Sequence, residues 1–308
     1  MFFLPYKLDS ELYKIPYVTL FICIICIFIY WNQYQIDGHY QESIQTYCNT
    51  NIERGDLILI RKITHQENGN QCEQLFESIR KAHVPKDKLE ALALESDPMG
   101  SFATAEDDYN YRLNRLQELY RNFAMSVPED LTGALAYDPK KINLVNMITS
   151  TFSHADVLHL LGNLLFFYIF SASVELIFGG FLYLGFILLA SLGTSLAYSY
   201  AVIGVEQALP TIGLSGVVMA SVAALAVMLP TARIRCFFWF IVFFRIIRIP
   251  ALLLAVWYIG WDFYEMNLYG DESNINYVAH ISGAVIGAIF GIIYYLFRRD
   301  NIRATVQP

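Results

Sequence analysis

Residues 211–229 read TIGLSGVVMASVAALAVML, a run of nineteen positions without a charged side chain. A run of this length and apolarity can cross the hydrocarbon core of a bilayer as a helix. Ser215 lies about four residues into the run, which at 1.5 Å per residue is roughly 6 Å below its outer boundary. A hydroxyl group at that depth meets water only through a polar cavity. The stretch therefore predicts a membrane protein with a polar site inside one of its helices.

The composition of the whole chain supports this class. Of the 308 residues, 56% are hydrophobic before glycine is counted, and roughly 45–50% with glycine is usual for a soluble protein. Residues 34–145 hold 30 of the 49 charged side chains, 18 acidic and 12 basic, and so account for −6 of the net charge of −7. The chain is thus predicted to be a membrane protein with one polar insert. Because no basic patch covers the chain, a nucleic-acid partner is not expected.

Six membrane spans are predicted from the apolar runs. They are 16–31, 157–177, 179–203, 211–229, 249–265 and 276–297. The first is interpreted as a retained span rather than a signal peptide, because no small-residue cleavage pattern follows Trp31. Residues 236–248 are apolar but contain Arg245 and Arg248, so they are predicted to lie at the membrane interface.

The basic residues outside the insert predict the orientation. All nine lie in the N-terminus, in the loop after the fourth span or in the C-terminus: Lys7, Lys14, Arg233, Arg235, Arg245, Arg248, Arg298, Arg299 and Arg303. The positive-inside rule therefore places both termini in the cytosol and the insert outside. Because nothing large follows the sixth span, we expect a bacterial inner (plasma) membrane.

The chain is accordingly divided into four parts. These are a cytosolic N-terminus with the first span (1–33), an extracytosolic insert (34–145), a catalytic core of spans two to six (146–297) and a cytosolic tail (298–308). The insert is predicted to be mostly helical, because apolar residues from Leu113 to Phe123 recur at helical spacing. Cys48 and Cys72 lie in the insert, and the sequence leaves open whether they form a disulfide or stay free.

Strongly polar groups begin three of the spans. His159 and Asn163 are at the start of span two, Ser215 of span four and His280 of span six. Since even-numbered spans run in one direction, these groups lie at similar depth on the same side. Polar residues within spans are costly and indicate function unless a partner explains them.

The residue types suit acyl transfer. Gly283 and Gly287 follow His280 at helical spacing, and with Gly213 and Gly216 they allow two helices to approach closely. An imidazole would then reach the Ser215 hydroxyl and activate it. Asn163, His159 and the Ser215 amide are candidate donors to an oxyanion. The alternatives are a serine bonded to a carbonyl of its own helix and a histidine bonded to a loop carbonyl.

These motifs resemble those of the rhomboid family of intramembrane serine proteases. The matching segments are Phe152–His154 leading to HLLGN at 159–163, GLSG at 213–216, and AHISG at 279–283 with Gly287; Val174, Glu175 and 248–251 are similar as well. The resemblance covers 146–297 well and the insert hardly at all. The Trp-Arg pair usual in the family's first loop is not recognisable.

The resemblance implies an all-α, six-helix rhomboid fold. It also implies a Ser215/His280 dyad without a carboxylate, no cofactor or metal, and substrates that are transmembrane segments cut near the outer face. One departure concerns the fourth residue after the nucleophile, an aromatic in some members and Met219 here. A thioether still contacts a ring favourably.

Two other functions remain open from the sequence. A rhomboid-like protein without protease activity would bind or escort membrane helices, but such relatives typically lack a member of the dyad. A transporter would line its path with the same polar residues, but internal hydropathy symmetry is missing.

Overall fold

A computed structural model describes residues 2–8, 15–65, 69–82, 84–205, 208–240, 243–269, 273 and 275–306. The prediction of a mostly helical membrane protein is confirmed. The twelve helices of the described residues are α1 (Tyr17–Thr50), α2 (Arg54–Thr64), α3 (Gln71–Arg80), α4 (Pro85–Glu95), α5 (Ala105–Ser126), α6 (Leu131–Leu135), α7 (Leu144–Phe152), α8 (Val157–Phe178), α9 (Gly180–Ala201), α10 (Ser215–Met228), α11 (Ala251–Tyr269) and α12 (Tyr277–Val306).

Four helices of the described residues are long and apolar enough to cross a membrane: α1, α8, α9 and α12 over Tyr277–Arg299. Helix α10 is apolar but has only 14 residues, and at 1.5 Å per residue it covers about 21 Å, less than the roughly 30 Å of a hydrocarbon core. A helix this short begins below the membrane surface if its other end reaches the opposite boundary. The count of six spans stays a prediction.

The chain separates into two compact units. One consists of Met1–Asn32 and Thr132–Pro308 and is called the membrane unit; the other, Gln33–Leu131, is called the polar unit. The segment 132–145, which the sequence analysis assigns to the insert, lies in the membrane unit. The division of the chain by membrane side stays a prediction.

The polar unit has its own core and a covalent crosslink. The rings of Phe76 and Phe123 stack at 4.8 Å, and the Arg80 guanidinium lies 4.4 Å from the centre of the Phe123 ring. Cys48 and Cys72 are joined as a disulfide. A crosslink that closes a loop of 24 residues stabilises a small core by about 3 kcal/mol, chiefly by restricting the unfolded chain.

The membrane unit is built around α10. Nearly every residue of this helix is buried, and most are small or β-branched. A Cβ atom on Gly283 would overlap the carbonyl of Gly216, and one on Gly287 would overlap the carbonyl of Ala220. Helices α10 and α12 therefore touch backbone to backbone, which glycine permits and a larger residue prevents.

A buried carboxylate connects the end of α8 to the start of α1. Glu175, near the end of α8 and 5% exposed, accepts hydrogen bonds from the backbone N–H groups of Val18 and Thr19 at 2.9 and 2.7 Å and from the Thr19 hydroxyl at 2.7 Å. The first turn of a helix has N–H groups without intrahelical partners and a partial positive charge. Glu175 accepts two of these N–H groups, and its negative charge lies next to the partial positive charge of the helix. It therefore holds the start of α1 against α8.

A three-stranded antiparallel sheet is present that the sequence analysis does not predict. Its strands, in spatial order, are β1 (Phe2–Leu8), β2 (Arg233–Phe240) and β3 (Phe243–Pro250). Ile234 and Cys236 are buried and alternate with the exposed Arg233 and the half-buried Arg235, which is the period of a strand. The segment 236–248 is therefore mostly strand, and its position at the interface stays a prediction.

The glycine contact yields a test of this packing. Gly287→Ala should lower the free energy of unfolding by about 1–3 kcal/mol, because the added methyl group forces α10 and α12 apart. Thermal unfolding in detergent measures the change. Gly185→Ala on α9 is the matched control, since its Cβ would meet no atom within 4 Å. Equal unfolding temperatures for the two variants would contradict the contact.

Candidate active site

Ser215 is the first residue of α10 and is half-buried. The loop before it is held by backbone hydrogen bonds: Gly213 N–H donates to Ser150 O at 2.8 Å, and Thr211 exchanges two bonds with Tyr137. Gly213 has φ = 121°, in the left-handed region that favours glycine. The loop therefore delivers Ser215 to the helix start, where the first N–H groups are unsatisfied.

A small polar cavity lies beside Ser215. Its volume is about 20 Å³, enough for a water molecule. Six hydroxyl side chains line it: Ser150, Thr151, Thr194, Ser195, Thr211 and Ser215. Such a lining can hold water next to the serine inside an otherwise apolar unit.

His159 and Asn163 are one turn apart on α8 and face Gly213. A Cβ atom on Gly213 would lie 2.8 Å from His159 Nε2 and 3.5 Å from Asn163 Nδ2. Asn163 is 8% exposed, and its Nδ2 has no hydrogen-bond partner within the described part of the chain. His159 Nδ1 accepts from Ala155 N–H at 3.4 Å, so a neutral ring carries its proton on Nε2. Two N–H donors thus point toward the segment that carries Ser215.

His154 lies beside His159, in the segment between α7 and α8 and so outside the membrane-spanning helices. It is 1% exposed, and its ring centre is 5.1 Å from that of His159. Burial lowers the pKa of His154 to about 4, and the neighbouring His159 adds to the effect. Asp156 caps the start of α8, and the backbone N–H groups of His159 and Leu158, from which its carboxylate accepts hydrogen bonds, lower the pKa of this group. His154 is therefore neutral at pH 7.

The glycine contact brings α12 against the nucleophile helix. A Cβ atom on Gly216 would lie 3.4 Å from the Ala279 carbonyl oxygen, and Ala279 lines the same cavity as Ser215. His280 is the next residue, in the first turn of α12. Among the described residues Ser215 and His280 share no hydrogen bond, and catalytic hydrogen bonds often tighten only when substrate is bound.

His280 is held by a carboxylate that the sequence analysis missed. Asp262 on α11 places its Oδ2 2.9 Å from His280 Nδ1, and both side chains are largely buried. The implied dyad without a carboxylate is therefore corrected: His280 has an acidic partner. The sequence does contain a signal, because Asp262 is an ionisable residue within the apolar run 249–265 and such residues indicate function. Its partner could not be predicted, because the partner depends on the register between α11 and α12.

The remaining predicted residues are found as follows. Gly216, Gly283 and Gly287 lie in the contact between α10 and α12, whereas Gly213 forms the turn before α10 and packs against His159. Met219 is buried in a small cluster with Ala223 and Ala284, and the half-buried Tyr258 and Ile259 pack against that cluster. Among the residues that the structure describes, no cluster of His, Cys, Asp or Glu could hold a metal ion.

The comparison with protein families agrees with this geometry. The rhomboid domain matches residues 141–297, just over half of the chain, and that range contains Ser215, His280, Asp262, His159 and Asn163. This protein belongs to the rhomboid family. Its membrane unit is therefore a rhomboid domain with an N-terminal helix, and its environment is the lipid bilayer.

Curated relatives are named as mitochondrial rhomboid-like proteins. The chain is 29% identical to RHOMBOID-like protein 12, mitochondrial, of Arabidopsis thaliana over 58% of this chain and 52% of that protein. It is 25% identical to the presenilin-associated rhomboid-like proteins, mitochondrial, of Mus musculus and Homo sapiens over 53% of this chain and 40% of theirs. The chain thus spans about half of these relatives' length, or less.

These names correct one prediction. The expectation of a bacterial inner membrane is wrong, because the matching curated relatives are mitochondrial proteins. The prediction rested on the compactness of the chain, which carries no information about the compartment.

The burial of His154 predicts a loss of stability in acid. As the pH falls from 6.5 toward 4, the unfolded chain binds a proton at this residue and the folded protein does not, so the unfolding temperature should fall. Thermal unfolding in detergent at several pH values measures this slope. His154→Gln should flatten it, whereas His39→Gln, at an exposed position, should leave it unchanged. An unchanged slope in His154→Gln would contradict the assignment.

Proposed function

We propose that this protein is an intramembrane serine protease that cleaves transmembrane segments of other proteins through an acyl-enzyme. The observation that carries the proposal is the hydrogen bond between Asp262 and His280, in the first turn of the helix packed against the serine helix. A histidine fixed by a carboxylate and brought against a serine at a helix start is the arrangement that activates a hydroxyl nucleophile.

The first chemical step uses three side chains. Asp262 accepts the Nδ1–H of His280, which leaves Nε2 unprotonated and free to act as a base. Ser215 Oγ attacks the carbonyl carbon of the scissile bond while its proton passes to His280 Nε2. Asp262 stabilises the imidazolium ion that results and stays ionised.

The negative charge that forms on the carbonyl oxygen needs donors placed in advance. Asn163 Nδ2–H is a buried donor without a partner among the described residues, and His159 carries a proton on Nε2 when Nδ1 accepts from Ala155. The Ser215 backbone N–H, at the positive end of α10, is the third candidate. His159 and Asn163 approach Gly213 from α8, and Gly213 precedes Ser215 by two residues.

The second half of the reaction reverses the proton transfer. His280 gives its proton to the leaving amine, and a water molecule then attacks the acyl-enzyme with His280 again as the base. The hydroxyl-lined cavity beside Ser215 is the proposed source of that water. The products are two peptides and the free enzyme.

The substrate class and the location rest on the family and the relatives. We propose transmembrane segments as substrates because the serine begins a short apolar helix of a membrane-embedded rhomboid domain. We propose a mitochondrial membrane as the location because the matching relatives carry that word in their names.

A fluorophosphonate probe tests the nucleophile without knowledge of the substrate. The detergent-solubilised protein should become covalently labelled at Ser215, because the probe reacts with activated serines. Labelling, read by in-gel fluorescence, should fall to background in Ser215→Ala and His280→Ala.

Ser282→Ala is the matched control for this experiment. Ser282 lies on the same turn of α12 as His280, but its hydroxyl donates back to Val278 O at 2.6 Å, so labelling should persist. A folded wild type that does not label would refute the protease and favour the rhomboid-like protein that only binds membrane helices.

Asp262→Asn tests the carboxylate. The labelling rate should fall about tenfold or more, because the asparagine amide no longer favours the proton on Nδ1 of His280 or stabilises the imidazolium ion. Asp138→Asn is an isosteric control, since Asp138 instead accepts the backbone N–H of Lys140. Equal labelling rates for wild type and Asp262→Asn would show that Asp262 does not contribute and that Ser215 and His280 act as a dyad.

A further inference from the structure

We propose that Glu265 and Tyr277 form a positioning pair that holds α11 in register with α12, so that Asp262 stays on His280. The pair does not touch the reacting atoms. This inference rests on the proposed function, because its effect on the reaction passes through Asp262.

The two pairs form consecutive rungs between antiparallel helices. The Tyr277 hydroxyl donates to Glu265 Oε2 at 2.9 Å, and Asp262 and His280 are separated by the same distance of 2.9 Å. Glu265 follows Asp262 by three positions on α11, and Tyr277 precedes His280 by three positions on α12. Residues three apart share one face of a helix, so a single alignment of α11 with α12 allows both contacts to form.

The apolar packing of α11 does not fix this end of the helix. Its buried residues are Ala251, Leu254 and Ala255, all within its first five positions. Beyond them it packs through the half-buried Tyr258 and Ile259, while Trp257, Trp261 and Tyr264 are about half exposed. Asp262 thus lies on a part of α11 that polar contacts must position.

Tyr277 is a rigid partner for this purpose. It is 4% exposed, its ring lies edge-on to the His280 ring at 6.4 Å, and its hydroxyl also accepts from Ser273 Oγ at 3.2 Å. A buried phenol with a donor and an acceptor both satisfied has little freedom to move. Its hydroxyl therefore holds Glu265, and with it this part of α11, at a fixed position relative to α12.

Another contact connects the start of α12 to the loop that precedes Ser215 and contains Thr211. Asn276 Nδ2 donates to Thr211 Oγ1 at 3.1 Å, and Asn276 Oδ1 accepts from Ala279 N–H at 2.9 Å. His280 is thus held toward Ser215 independently of α11. Loss of the Glu265–Tyr277 bond should displace Asp262 and leave the serine and histidine in place.

The test is a double-mutant cycle with the fluorophosphonate probe. Tyr277→Phe should lower the maximal labelling rate about tenfold, because a small displacement of a catalytic group is costly, and should leave the probe concentration for half-maximal rate unchanged. In the Asp262→Asn background, Tyr277→Phe should cause no further loss. A purely structural effect would instead lower both backgrounds by the same factor.

Conservative variants separate the hydrogen bond from the charge. Glu265→Gln keeps an acceptor for the Tyr277 hydroxyl and should retain most of the rate, whereas Glu265→Leu should resemble Tyr277→Phe. Tyr264→Phe is the matched control, since that side chain is 53% exposed on the same helix and its loss of a hydroxyl should have no effect. Gel filtration and thermal unfolding identify the folded variants, and Glu265→Leu replaces Tyr277→Phe if the latter does not fold.

The outcomes distinguish this inference from the proposed function. If wild type does not label at Ser215, the protease itself is refuted. The positioning pair is refuted, and the protease stands, if the wild type labels and Tyr277→Phe labels at the same rate. The same conclusion follows if Tyr277→Phe lowers the labelling rate by the same factor in the wild-type and Asp262→Asn backgrounds.

Discussion

The contact between α10 and α12 is the constraint on which the rest of the membrane unit depends. At Gly216–Gly283 and again at Ala220–Gly287, the two backbones approach so closely that an added Cβ would overlap a carbonyl. Apolar attraction between helices is weak in lipid, so association relies on close packing and hydrogen bonds. The same contact that stabilises the pair also places the histidine helix against the serine helix. Packing and chemistry therefore depend on the same few glycines.

Three carboxylates of the membrane unit, one buried and two half-buried, have different roles. Glu175 satisfies the start of α1, Asp262 holds a histidine of the site, and Glu265 binds a buried phenol. Each carboxylate accepts a hydrogen bond from a neighbouring element, which offsets part of the cost of removing it from water. In apolar surroundings these few bonds specify which helices are neighbours and in which register.

The sequence predicted the parts of this protein that depend on local pattern. Apolar runs gave the membrane class and the helices, and small residues beside Ser215 and His280 indicated a close contact that the structure contains. The contact of Asp262 with His280 was not predicted, because a hydrogen bond between two helices depends on their register, which the sequence of neither helix determines alone. The strands around Arg233 and Ile249 escaped because a short apolar run suits a strand as well as an interfacial helix. The compartment was predicted wrongly, since the compactness of the chain after the sixth span does not distinguish a bacterial membrane from a mitochondrial one.

The disulfide of the polar unit links its maturation to its surroundings. Cys48 lies on α1, the helix whose first half is apolar enough to enter a membrane, and Cys72 lies on α3. Disulfides form and persist where thiols are oxidised. Formation of the bond between Cys48 and Cys72 therefore depends on the redox conditions around the polar unit, whereas the contact between α10 and α12 involves no thiol and is independent of those conditions. Reducing conditions would remove the crosslink of the polar unit and leave the helix packing of the membrane unit intact.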